Sequence, residues 1–66
     1  MNISAILKER RVALKITQQE LSEISGVSIA TIKDIERGKG NPSLKTLEQI
    51  GIVLGLEICM KIKETF

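Results

Sequence analysis

Ser28, Ile29, Ala30 and Thr31 stand in a row before the first charge, Lys33, and together form a surface that is neither apolar enough for a core nor charged enough for plain solvent. Short side chains let a helix come close to whatever faces it. A hydroxyl, a methyl, a branched aliphatic chain and one ammonium can hydrogen-bond and pack, so the chemistry on offer is recognition. Catalysis has little to work with. There is no histidine, Cys59 is the only cysteine, and "GKGN" (Gly38 to Asn41) lacks the spacing and the following Ser or Thr of a phosphate-cradling loop. No enzyme, no metal site and no cofactor are expected.

The elements that must hold this surface follow from periodicity. Ile3, Ile6, Leu7 and Leu14 recur at helical spacing opposite Lys8, Glu9 and Arg10, which predicts a first helix from residue 3 to about 14. Thr17 followed by Glu20 is a capping-box pattern, so a second helix starts at Gln18, and Gly26 ends it after two turns. Leu21 and Ile24 make its predicted inner face. Ser28 caps a third helix, Ile29 to about Arg37, with Ile32 and Ile35 inward and Gly38 closing it. After the loop "GKGNPS", Leu44, Leu47, Ile50 and Leu54 stripe a fourth helix that stops at Gly55. Gly51 and Gly55 read as close packing and a helix end rather than as a membrane-helix contact.

From Leu56 the period changes to two. Leu56, Ile58, Met60 and Ile62 alternate with Glu57, Cys59, Lys61 and Lys63, which predicts a strand with one buried face. With no second strand in the chain, the expected partner is the same strand of another copy, antiparallel about a two-fold axis. Pairing centred on Cys59 sets Glu57 opposite Lys61, Leu56 opposite Ile62 and Ile58 opposite Met60. Pairing centred on Met60 sets Glu57 opposite Lys63.

Composition bounds the rest. Sixty-six residues allow one small domain, which buries only roughly 60% of its unfolded surface, so association is expected. The 42% hydrophobic content includes a single aromatic, Phe66, so the core is aliphatic. The net charge of +2 is modest, but residues 1–40 hold all of the excess: Lys8, Arg10, Arg11, Lys15, Lys33, Arg37 and Lys39 against five acidic groups. The longest apolar run, Ile50 to Leu56, falls far short of the roughly 18 residues of a membrane span, and Lys8 interrupts the N-terminal apolar stretch. A cytoplasmic protein without membrane contact is expected.

Two short helices joined by a glycine turn, the second with an exposed N-terminal face, form a helix-turn-helix, whose second helix enters the major groove of DNA. "ITQQELSEISGVSIATIKDIERGKGNPSLKTLEQI" resembles the Cro and phage-repressor-like (XRE) family, matching at Gln18, Leu21, Gly26, Ile32, Ile35, Glu36, Gly38 and Pro42 at once. Ser22 departs from the family's usual alanine. The resemblance covers about residues 3 to 55. It implies a mainly α, lambda-repressor-like bundle of four helices, to which the C-terminal strand would be added: residues 1–55 for DNA, residues 56–66 for dimerisation.

By position, the resemblance also implies roles. Ser28, Ile29, Ala30 and Lys33 fall where the family reads bases, although Ile29 could instead pack inward and Lys33 could be merely solvated. Gln18 looks like a phosphate-contacting residue, with Thr17, Lys15, Arg37, Lys39 and Asn41 around it; Lys15 could equally be a solvated rim. Arg11 and Glu36 would form an exposed salt bridge of geometric value. The expected ligand is double-stranded DNA with an inverted repeat, bound by a homodimer. The strand narrows the resemblance to HipB-type antitoxins, with a HipA-type kinase toxin as a second partner. A phage-type repressor, a restriction-modification controller, or a protein-interaction scaffold that binds no DNA are the alternatives.

Overall fold

The computed structural model describes residues 2–60. Four helices, α1 (Ile3–Ala13), α2 (Gln18–Ser25), α3 (Ile29–Glu36) and α4 (Leu44–Leu54), pack around an aliphatic core of Leu7, Leu21, Val27, Ile32, Ile35, Ile50 and Leu54. Each helix is started by a polar side chain that accepts a backbone N–H left free in the first turn: Asn2 from Ala5, Thr17 from Glu20, Ser28 from Thr31 and Ser43 from Thr46. At α2 the box is complete, since the Glu20 carboxylate accepts from the Thr17 N–H at 3.0 Å. That bond to the Thr17 backbone holds the Glu20 carboxyl below its ordinary range.

α1 ends without a glycine. The Lys15 N–H donates to the Val12 carbonyl and the Ile16 N–H to the Arg11 carbonyl, a Schellman closure that puts Lys15 at φ 58°. A side chain with a Cβ is strained there. Lys15→Gly is therefore expected to raise the melting temperature by about 4 °C, measured by circular dichroism.

The glycine in the middle of α4 has a packing reason. A Cβ at Gly51 would lie 2.8 Å from the backbone carbonyl oxygen of Leu56, where the chain folds back over the helix and the Leu56 N–H donates to the Gly51 carbonyl. Backbone cannot swing aside as a flexible side chain can. Gly51→Ala is expected to lower stability by about 1–3 kcal/mol in urea unfolding, even though alanine favours helix by about 1 kcal/mol.

Three sequence expectations are corrected here. The C-terminal strand is absent: the described residues contain no strand, and Leu56, Glu57, Ile58, Cys59 and Met60 run on from α4 as irregular chain. Lys61 and Ile62 lie outside the described residues. A strand requires a neighbouring backbone to bond with, and among the described residues none runs alongside this segment as an extended chain. Nor does burial follow the alternation: Leu56 is half-buried against the core and gives its N–H to the end of α4, while Glu57, Ile58, Cys59 and Met60 are all exposed. The registers centred on Cys59 and on Met60 presuppose that strand and are set aside with it.

The apolar stripe of α1 is also narrower than its spacing implies, because only Leu7 is buried while Ile3, Ile6 and Leu14 remain substantially exposed. On α2, Ile24 is 65% exposed, and Val27 in the turn takes the core place. A two-turn helix can aim one apolar position fully inward, and Leu21 holds it.

Candidate functional site

α2, the turn at Gly26, and α3 form the helix-turn-helix unit. Gly26 has φ 76° and donates its N–H to Ser22, which turns the chain sharply enough for Val27 to enter the core and Ser28 to cap α3 at once. Ile32 and Ile35 anchor the inner face of α3, and Leu21 anchors α2. The outer face of α3 is thus aimed by burial of its opposite side.

Gln18, Ala30, Lys33, Asp34 and Arg37 line one open groove of about 410 Å³ on that face. Four of the residues singled out from the sequence, Gln18, Ala30, Lys33 and Arg37, are brought together here from two helices. Ala30 and Lys33 are exposed. Ser28 is exposed at the tip of α3, with Oγ accepting from the Thr31 N–H and lying 2.9 Å from Thr31 Oγ1, so it is engaged in capping. Ile29 is half-buried, between the two readings given for it. Lys39 and Asn41 line an adjoining depression of about 200 Å³, which shares Asp34 with the first. Thr17 caps the start of α2, where aligned peptide dipoles leave partial positive charge, and Lys15 stands in the closure of α1 just before it. Asp34 accepts from Arg37 one turn along α3, which offsets a carboxylate on an otherwise cationic face.

The salt bridge of Arg11 and Glu36 forms, but its setting differs from the expected exposed one. Arg11 Nε donates to Glu36 Oε2 at 2.7 Å and Nη2 to Oε1 at 2.9 Å, with side-chain exposures of 12% and 5%. Nη1 donates to the Ile16 carbonyl at 2.8 Å. The guanidinium therefore ties α1, the turn before α2, and the last turn of α3 to one another. Its hydrogen bond to Glu36 raises the Arg11 pKa above the ordinary value. A bidentate, largely desolvated pair is stronger and less screened than the surface pair the spacing implied.

Other contacts were not read from the sequence either. Gln18 Nε2 donates to Glu36 Oε1 at 3.2 Å, linking the first residue of α2 to the last of α3. Arg10 Nε donates to the Leu54 carbonyl at 2.7 Å, closing the C-terminus of α4 from α1. An arginine in the last turn of α1 was visible as a charge only. Nothing in its spacing tells which helix end it will meet.

A helix-turn-helix family model matches residues 7–59. The chain belongs to the Cro/C1-type (XRE) helix-turn-helix family. The immunity repressor protein of Bacillus phage phi105 is 42% identical over 62 residues, which are 94% of this chain and 40% of the repressor. The ImmF control region 10 kDa protein of the same phage is 34% identical over 56 residues, 85% of this chain and 62% of its own. A protein of Archaeoglobus fulgidus named as an uncharacterized HTH-type transcriptional regulator is 42% identical over 52 residues, 79% of this chain and 73% of its own. The chain thus spans well under two thirds of the phage repressor it matches. Its XRE helix-turn-helix unit is α2 to α3, and among the described residues no helix is long and apolar enough to cross a membrane.

Proposed function

We propose that this XRE-family chain is a sequence-specific, DNA-binding transcriptional repressor of the phage-immunity kind, acting without catalysis or cofactor. The carrying observation is the groove that gathers Gln18, Ala30, Lys33 and Arg37 on the outer face of α3. Short residues at the helix tip let the backbone approach base edges. Ile29 and Ala30 pack on thymine methyl groups, Ser28 adds a hydroxyl, and Lys33 donates to guanine O6 or N7. Gln18, Thr17, Lys15, Arg37, Lys39 and Asn41 hold the phosphates on either side, the first two aided by the N-terminus of α2.

Two copies act together on an inverted repeat, with recognition helices about 34–36 Å apart in successive major grooves. Exposed Ile3, Ile6 and Ile58 beside α4 supply apolar surface for association. The antitoxin reading, with a HipA-type kinase toxin, rested on the C-terminal strand and loses its ground with it. The name of the phi105 relative favours the immunity-repressor reading instead.

Binding to duplexes selected from a random pool tests the roles. Lys33→Ala is expected to relax preference at one base pair, losing about 1–3 kcal/mol of discrimination, whereas Gln18→Ala weakens selected and random duplexes alike. Equal losses on both kinds of DNA for both variants would contradict the division into base and phosphate contacts. A scaffold that binds proteins only would show flat or absent DNA binding as salt is lowered, since phosphate neutralisation makes affinity depend steeply on salt.

A further inference from the structure

Glu36 has an outer neighbour that the helix-fastening role does not need. Its Oε1 accepts from Arg11 on one side and from the Gln18 side-chain amide on the other. An ionised carboxylate accepts and cannot donate, so it dictates which end of the amide turns toward it: Nε2 inward, Oε1 away. Gln18 lines the same groove as Ala30 and Lys33, and the second hydrogen on Nε2 remains for a ligand in that groove. With Glu36 largely buried, this orientation is set in a poorly screened place.

We propose, building on the DNA-binding reading above, that Glu36 is a positioning residue for DNA binding: through the Gln18 amide it locks the phosphate-gripping start of α2 to the base-reading helix α3. Arg11 acts one step further back, holding the carboxylate in place from α1. The register of the backbone contact and the register of the base contacts are then one quantity. Without the link, Gln18 regains its rotamers and the amide no longer presents a fixed donor.

A double-mutant cycle with Gln18→Ala, Glu36→Gln and the double variant, on one duplex selected by the wild-type chain, tests this. Glu36→Gln keeps the shape but removes the obligate acceptor. Each single variant is expected to weaken binding about tenfold, and the double variant no more than either single, which is the signature of residues acting as one unit. A merely structural Glu36 gives independent losses that multiply to about a hundredfold, and that result overturns the proposal.

A measurement on the wild-type chain without DNA guards against a variant that fails to fold. One Gln18 Nε2 proton should be shifted downfield of its position in a free glutamine and exchange more slowly with solvent than a free glutamine's does. Resonances and exchange like those of a free glutamine overturn the link. If the wild-type chain selects no duplex, the DNA-binding reading falls and this role with it. A selected duplex with multiplicative losses removes the Glu36 role alone.

Discussion

Glu36→Ala is expected to cost about 3–5 kcal/mol of unfolding free energy, because it leaves the Arg11 guanidinium largely buried with no counter-charge. A chain of this size has about 3–10 kcal/mol in total, so the variant should lose a large share of its stability. The loss reaches beyond one ion pair. Arg11 also donates to Ile16, and the Gln18 amide meets the same carboxylate, so α1, the α1–α2 turn and both helices of the DNA-binding unit lose a common point of attachment. Two comparisons isolate the cause. Removing Asp34 from its exposed pair with Arg37 should change stability by about 0–1 kcal/mol. Replacing both Arg11 and Glu36 with methionine should restore much of what Glu36→Ala loses, since two well-packed apolar chains often match a buried pair. Urea denaturation of the four proteins gives all the needed values. A loss at Glu36 no larger than that at Asp34 would show that the pair is not desolvated as described.

Leu54→Ala should cost about 2–5 kcal/mol. Leu54 is 0% exposed, near the end of α4, among the largest fully buried side chains together with Leu21, Ile32 and Ile50. Truncation leaves a void that the helices cannot close cheaply, because Arg10 clamps the Leu54 carbonyl and Gly51 is already in contact with the Leu56 backbone. Ile24→Ala is the informative contrast. It removes a similar apolar volume from a helix whose periodicity predicts an inner position, yet at 65% exposure it should change stability by no more than about 0.5 kcal/mol. Midpoints in urea for the two variants, compared with the parent chain, test whether the core lies where it is described.

What the sequence made legible was what local rules govern. The caps at Thr17 and Ser28 and the helix ends at Gly26 and Gly55 were readable because each depends on a few adjacent residues. The placing of Gln18, Ala30, Lys33 and Arg37 on one site came from the family resemblance, and the four line one groove. What escaped depends on three-dimensional surroundings. Period two in Leu56 to Met60 is not followed by burial: Leu56 alone packs against the core, while Ile58 and Met60 stay exposed, so the alternation of types does not define a buried strand face. Helical spacing marked Ile3, Ile6 and Ile24 as apolar but could not tell which of them another helix would cover. The burial of Arg11 was invisible for the opposite reason, since a charged residue next to an apolar stripe ordinarily reads as solvated.

The central claim, that the outer face of α3 reads duplex DNA, is tested most directly by selection from a random double-stranded pool at about 50 mM salt, where phosphate contacts are strong. The account predicts enrichment of an inverted repeat whose half-sites lie about 10 base pairs apart, centre to centre, and in which Lys33→Ala relaxes the preference at one position of each half-site. A folded chain that enriches no sequence over the starting pool would contradict it.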